Sequence, residues 1–212
     1  MHRYRFLTNT FLVVMLCTSV YSDDANDDSW LTSPDPEKRW RGERDLLGKL
    51  DSYVNTAITV IEGEGSQELK PNDIRLTAID ILGALRAKRS VNVLVRIVDY
   101  REALPVLSSN GEITPAVYYP AAKALLEIGK PVIPACLEAL EKSDARRMEI
   151  LCWIIKKVEG KEIAELLLEK RLKSCSPNTK SNIQAALDYI KSDARWKYRG
   201  QSTQVPAQGG GG

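Results

Sequence analysis

Three stretches of this chain share one apolar grammar, and that grammar limits its fold more than any other feature. Around Leu85, Ala78 and Leu82 stand seven and three residues before it, and Val91 and Leu94 six and nine after. Around Ile128, Ala121 and Leu125 hold the same two places before it, and Ile133 and Cys136 follow at five and eight. Around Val158, Leu151 and Ile155 come before, and Ile163 and Leu166 after. Apolar residues at helical spacing line one face of an amphipathic helix. Each pass therefore reads as a helix, a short turn and a second helix, which is an αα-hairpin repeat. Such a hairpin cannot bury its apolar stripes alone, so successive copies must stack. The expected fold is all-α, an α-solenoid of about three to four hairpins over residues 35–192. An aliphatic composition with only two Phe agrees with helix-on-helix packing rather than a β-sandwich.

The spacing of the repeats is uneven, and the excess lies in residues 100–115. Pro105, Ser108-Ser109-Asn110-Gly111 and Pro115 are breaker and turn residues, so this span reads as an insertion loop between two hairpins. An earlier helix is expected from Asp35, which can cap it, through Pro36 in its first turn, and along Leu47, Leu50, Val54, Ala57, Ile58 and Ile61. Glu62-Gly63-Glu64-Gly65 ends it. A last helix follows Ser176-Pro177 and carries Ile183, Ala186, Leu187 and Ile190. Beyond it, Lys191-Ser192-Asp193-Ala194-Arg195 echoes Lys142-Ser143-Asp144-Ala145-Arg146, as though another repeat began and was not completed. Residues 193–212 read as a disordered tail.

Two of the hairpins resemble a known repeat family. Asp73-Ile74-Arg75-Leu76-Thr77-Ala78-Ile79-Asp80-Ile81-Leu82-Gly83-Ala84-Leu85 followed by Lys88-Arg89-Ser90-Val91-Asn92-Val93-Leu94 is similar to a HEAT repeat of the PBS-lyase type. So is Ala121 to Leu140, with Ile128-Gly129-Lys130-Pro131 at its turn. The third unit departs: Asp144-Ala145-Arg146 sits two residues out of register with Asp73-Ile74-Arg75, and Lys157 and Glu159 stand where the second unit has Glu127 and Gly129. The resemblance implies a right-handed superhelix with an armadillo-like fold and a curved binding surface, but no particular activity. The second helices form that surface in such folds. Here they carry Arg96, Asp99, Glu138, Glu141, Lys161 and Glu165, a mixture of signs that suits protein contacts better than a polyanion.

The first residues carry a different signal. Arg3 and Arg5, an apolar run from Phe11 to Val20, and Val20 and Ser22 at −3 and −1 of a cut before Asp23 together read as a secretory signal peptide over residues 1–22. The run is too short to span a bilayer, so membrane contact is expected only if this segment stays uncleaved as an anchor. Leu16 argues against lipidation at Cys17. The acidic stretch of residues 23–34 reads as disordered. The expected location is secreted or periplasmic. Loss of residues 1–22 removes two of the 30 Lys and Arg and none of the 28 Asp and Glu, leaving a neutral chain with no global basic charge for nucleic acid. It also removes His2, the only histidine, and with it the commonest general base and metal ligand.

No catalytic motif, glycine phosphate loop or metal spacing stands in the chain, and no cofactor is expected. HEAT-type hydroxylases hold metal with paired His and Glu, a route closed without His2. Cys136, Cys152 and Cys175 leave two readings open, one disulfide with one free thiol, or thiols filling core space. The expected activity is therefore a non-catalytic interaction scaffold with a protein partner. Its candidate contact residues are Arg96, Tyr100 and Arg101 at one end of the insertion, Tyr118 and Tyr119 at the other, and Trp196. For the tyrosines the competing reading is that they pin the loop to the solenoid. Two other function classes stand beside this one. The first is an enzyme or enzyme accessory related to HEAT-like lyases, using carboxylate or Cys chemistry. The second is an anionic-polymer binder acting through Trp196-Lys197-Tyr198-Arg199.

Overall fold

The computed structural model describes residues 34–63, 65–70, 73–102, 114–192 and 196. The signal segment, the acidic stretch up to residue 33, the middle of the insertion and the tail apart from Trp196 lie outside these residues. Helices dominate what is described. In chain order they are α1 (Pro36–Glu62), α2 (Ile74–Ala84), α3 (Val91–Arg96), α4 (Pro115–Tyr118), α5 (Pro120–Ile128), α6 (Ile133–Leu140), α7 (Ala145–Glu159), α8 (Lys161–Ser174) and α9 (Lys180–Lys191). Two short strands, β1 (Glu68–Leu69) and β2 (Arg101–Glu102), pair in parallel with Glu68 opposite Arg101 and Leu69 opposite Glu102.

The helix starts follow from side chains that satisfy orphan amides. Asp35 accepts from the Glu37 amide at 2.9 Å, with Pro36 in the first turn as expected. Asp73 accepts from the Arg75 amide and Asp144 from the Arg147 amide, each at 2.9 Å. The two-residue slip of the third unit is therefore real. Asp144 is a true cap, and the helix it opens has 15 residues against 11 in α2.

The first two hairpins share an architecture beyond their apolar pattern. After α2 comes a 3₁₀ turn, Lys88–Ser90, leading straight into the short α3; after α5 comes another, Lys130–Val132, leading into the short α6. Gly129 reaches φ +80° at the second turn and Gly160 φ +86° at the third, values that favour a residue without Cβ. At the first turn Arg86 takes φ +49° instead.

Packing proceeds along the chain. α1 lies on α2 and α3, α2 on α5, α3 on α5 and α6, both α5 and α6 on α7, and α7, α8 and α9 on one another. One continuous aliphatic core results, with Leu82, Leu94, Leu125, Leu140, Ile150, Ile155, Leu168 and Ile183 fully enclosed. Ile183, Ala186, Leu187 and Ile190 of α9 are buried, and Trp153 packs half-buried against the core.

Three apolar expectations fail. Ile163 and Leu166, placed inside by analogy with Ile133 and Cys136, are 45 % and 60 % exposed, and Ala164 and Leu168 are buried in their stead. The cause is one extra residue: Glu159 stands between Val158 and the turn glycine Gly160, whereas Ile128 is followed at once by Gly129. A single residue turns a helix by about 100°, so the inward face moves on, from Ile163 to Ala164 and from Leu166 to the half-buried Leu167 and the buried Leu168. Leu47 is likewise exposed rather than buried, because only the C-terminal half of α1 meets the body. The insertion is also shorter than residues 100–115. Its first residues form β2 and its last open α4 at Pro115, a helix the breaker residues had concealed.

Candidate functional site

The expected site lies where the insertion leaves and rejoins the helices. On the leaving side, the Tyr100 amide donates to the Ile97 carbonyl at 2.9 Å and turns the chain out of α3. The Arg101 amide then donates to the Gln67 carbonyl, and the Arg101 guanidinium meets Glu68 Oε1, both at 2.9 Å. Leu69 beneath this ladder is fully buried. The segment carrying β1 is itself held by Arg75, a buried arginine. Its guanidinium grips the Asp73 carboxylate through Nε and Nη2 and donates from Nη1 to the Ser66 carbonyl at 2.9 Å. The hydrogen bond and charge of Asp73 hold the Arg75 guanidinium above its ordinary value, and the same contact holds the Asp73 carboxyl below its own. A Cβ on Gly65 would meet Arg75 Nη1 at 2.5 Å, so any larger residue in that turn would have to displace the guanidinium.

On the rejoining side, Pro115 starts α4 and Pro120 starts α5, and Tyr119 between them is extended, as a residue before proline prefers. Tyr118 is 8 % and Tyr119 3 % exposed. Trp196 lies against both, its ring centroid 5.8 Å from that of Tyr118 and 6.1 Å, edge-on, from that of Tyr119. Aromatic pairs at such distances and tilts are favourable. The structure thus brings Tyr118 and Tyr119, from the middle of the chain, together with Trp196 from near its end. Both rings are packed rather than open to solvent.

Arg96 is exposed at the end of α3 and pairs with Glu62 of α1 at 3.1 Å. Several charges expected on the binding row also join neighbouring elements: Asp99 faces Arg147 at 3.8 Å, and Glu141 pairs with Arg171. Glu138 of α6 is exposed. Sequence reading missed Ile163 and Leu166 as surface residues of α8, although the displaced turn glycine carried the signal.

The groups that an enzyme reading would use are three thiols and a few carboxylates. Cys136, Cys152 and Cys175 are free thiols. Burial pushes the Cys136 and Cys152 thiols up to about 12, so neither supplies a thiolate, the form that attacks electrophiles. Among the described residues one carboxyl, Glu127, is held above its ordinary range, chiefly by desolvation against α2, with Asp80 adding to the shift and Lys123 opposing it. Lys123 bridges these two acids, 3.2 Å from Asp80 and 3.7 Å from Glu127. Among the described residues no group of three or more His, Cys, Asp or Glu is arranged to hold a metal, and no helix is long and apolar enough to cross a membrane.

Comparison with protein-family models, curated proteins and solved structures finds no match. The resemblance to HEAT repeats rests on the residues of the chain itself.

Proposed function

We propose that this chain is a non-catalytic scaffold for protein–protein interaction, built as a right-handed HEAT-like solenoid and acting outside the cytoplasm. The observation that carries the reading is the repeated unit. Two hairpins share helix, 3₁₀ turn and short second helix, and successive units pack in chain order. Repeats that bury their stripes on their neighbours leave a continuous outer row available to a partner. Along the second helices that row offers Arg96, Glu138, Ile163 and Leu166, a mixed apolar and charged set. Arg101 and Tyr100 adjoin it where the insertion departs. The extracytoplasmic setting is supported by Arg3, Arg5 and the apolar run from Phe11 to Val20.

Affinity capture tests this. The bait is the chain from Asp23 onward, run beside the same chain lacking residues 103–113 and beside an Arg101→Glu variant. The expected result is a protein retained by the first bait and lost or reduced on the other two. No protein enriched on any bait would overturn the scaffold reading.

A further inference from the structure

Helix α1 runs off the body that it packs against. Its C-terminal half buries Val54, Ala57 and Ile61, and is clipped to the first hairpin by Arg89 on Asp51 at 2.6 Å and Arg96 on Glu62. The half before it, from Pro36 to Lys49, projects by roughly 20 Å at helical rise. The apolar stripe does not stop where the packing does. Trp40, Leu47, Val54 and Ile61 recur at a fixed seven-residue interval, a spacing that stays close to one side of a helix. The last two are buried, while Trp40 and Leu47 are 56 % and 54 % exposed, with Leu46 exposed beside them. Gly42 and Gly48 stand inside this arm, and a Cβ on Gly48 would touch nothing. Each glycine weakens an exposed helix by about 1 kcal/mol, so the arm gains from a partner that lies against it.

The charges on the arm indicate which partner. Glu43 and Arg44 are adjacent and of opposite sign, flanked by Trp40 on one side and Leu47 on the other, three residues away in each direction. A two-fold axis passing between Glu43 and Arg44 sets Trp40 of one copy against Leu47 of a second, and Glu43 against Arg44 of that second copy. Isologous pairing requires such a self-complementary pattern. Arg44 already lies over the Trp40 ring, 4.8 Å from its centroid, which holds the guanidinium on the apolar face where the second copy would arrive. We infer that the projecting half of α1 is a self-association surface, through which two copies of this chain pair antiparallel about Glu43 and Arg44.

Two short arms bury an area at the small end of specific interfaces, so the dimer is expected to be weak and reversible. Sedimentation velocity of the full chain over a concentration series tests it, with circular dichroism to verify folding. The expected result is a concentration-dependent dimer that Leu47→Glu, Glu43→Arg and Arg44→Glu each weaken by about tenfold or more, the first because a charge then faces Trp40 and the other two because like charges then meet. Two rescues separate this geometry from a general loss of binding. The double variant Glu43→Arg with Arg44→Glu pairs with itself, and an equimolar mixture of the two single charge variants forms the mixed dimer. A chain that stays monomeric throughout overturns the inference. So does a dimer indifferent to Leu47→Glu, or single variants that neither combination rescues.

Discussion

At Gly83 two helices approach as closely as their backbones allow. A Cβ there would lie 2.9 Å from the Ala124 Cα and 3.0 Å from its Cβ, and it would strike the Glu127 carboxylate. The carboxylate can swing aside, but the backbone of α5 cannot. Gly83→Ala gains about 1 kcal/mol of helix propensity and loses more to overpacking, typically 1–3 kcal/mol. Its expected effect is a lower urea midpoint, read by circular dichroism. Glu127 shows the cost of the same contact in charge. Its folded-state carboxyl lies above the ordinary 4.5 because α2 removes water from it. The folded chain therefore binds that proton more tightly than the unfolded chain does. The resulting stabilisation is full at pH below 4.5 and is lost as pH rises through the folded value. Glu127→Gln removes this dependence, so the variant should gain on the parent as pH increases from 4 to 7. Urea midpoints of both proteins at the two pH values measure it; a constant gap would show that desolvation does not govern this carboxyl.

Among elements, the junctions between units are held by polar side chains that finish neighbouring helices. Arg147, in the first turn of α7, donates to the Val95 carbonyl at the end of α3 at 2.7 Å. Asn182, in the first turn of α9, donates to the Glu141 carbonyl just past α6 at 2.9 Å. Both satisfy carbonyls that a short helix leaves open. Removing either deletes a hydrogen bond between neighbouring units, a loss of about 1–2 kcal/mol for Arg147→Ala or Asn182→Ala. The two sites lie at different junctions, so the double variant should lose about the sum, which thermal or urea unfolding checks. No spacing rule foretold these contacts, because each depends on where a distant helix ends. Spacing did foretell the helices themselves. Asp35, Asp73 and Asp144 mark starts by a chemistry local to each, and α9 buries the four apolar residues its rhythm named. The reading failed on α8, where one residue before Gly160 rotated the helix, and at β1 and β2, whose two-residue strands are too short to show alternation.

For the whole molecule, local chemistry made the hairpins legible and left the site largely hidden. Tyr118 and Tyr119 read as candidate contacts because Tyr and Arg cluster near an insertion. Trp196, far away in the sequence, packs against both rings, a long-range contact that no local pattern announces. Arg101 remains at the surface of the insertion's base, beside the short strand pair that Arg75 secures. The scaffold proposed above would bind through its outer row rather than through its repeat pattern, so the partner's chemistry must be found by contact. Hydrogen–deuterium exchange of the chain, alone and with the protein retained in affinity capture, tests that claim most directly. The account predicts slowed exchange along α3, α6 and α8 and around Arg101, with the buried helices α5 and α7 unchanged. Slowed exchange confined to the outer half of α1, or none in the second helices, would contradict it.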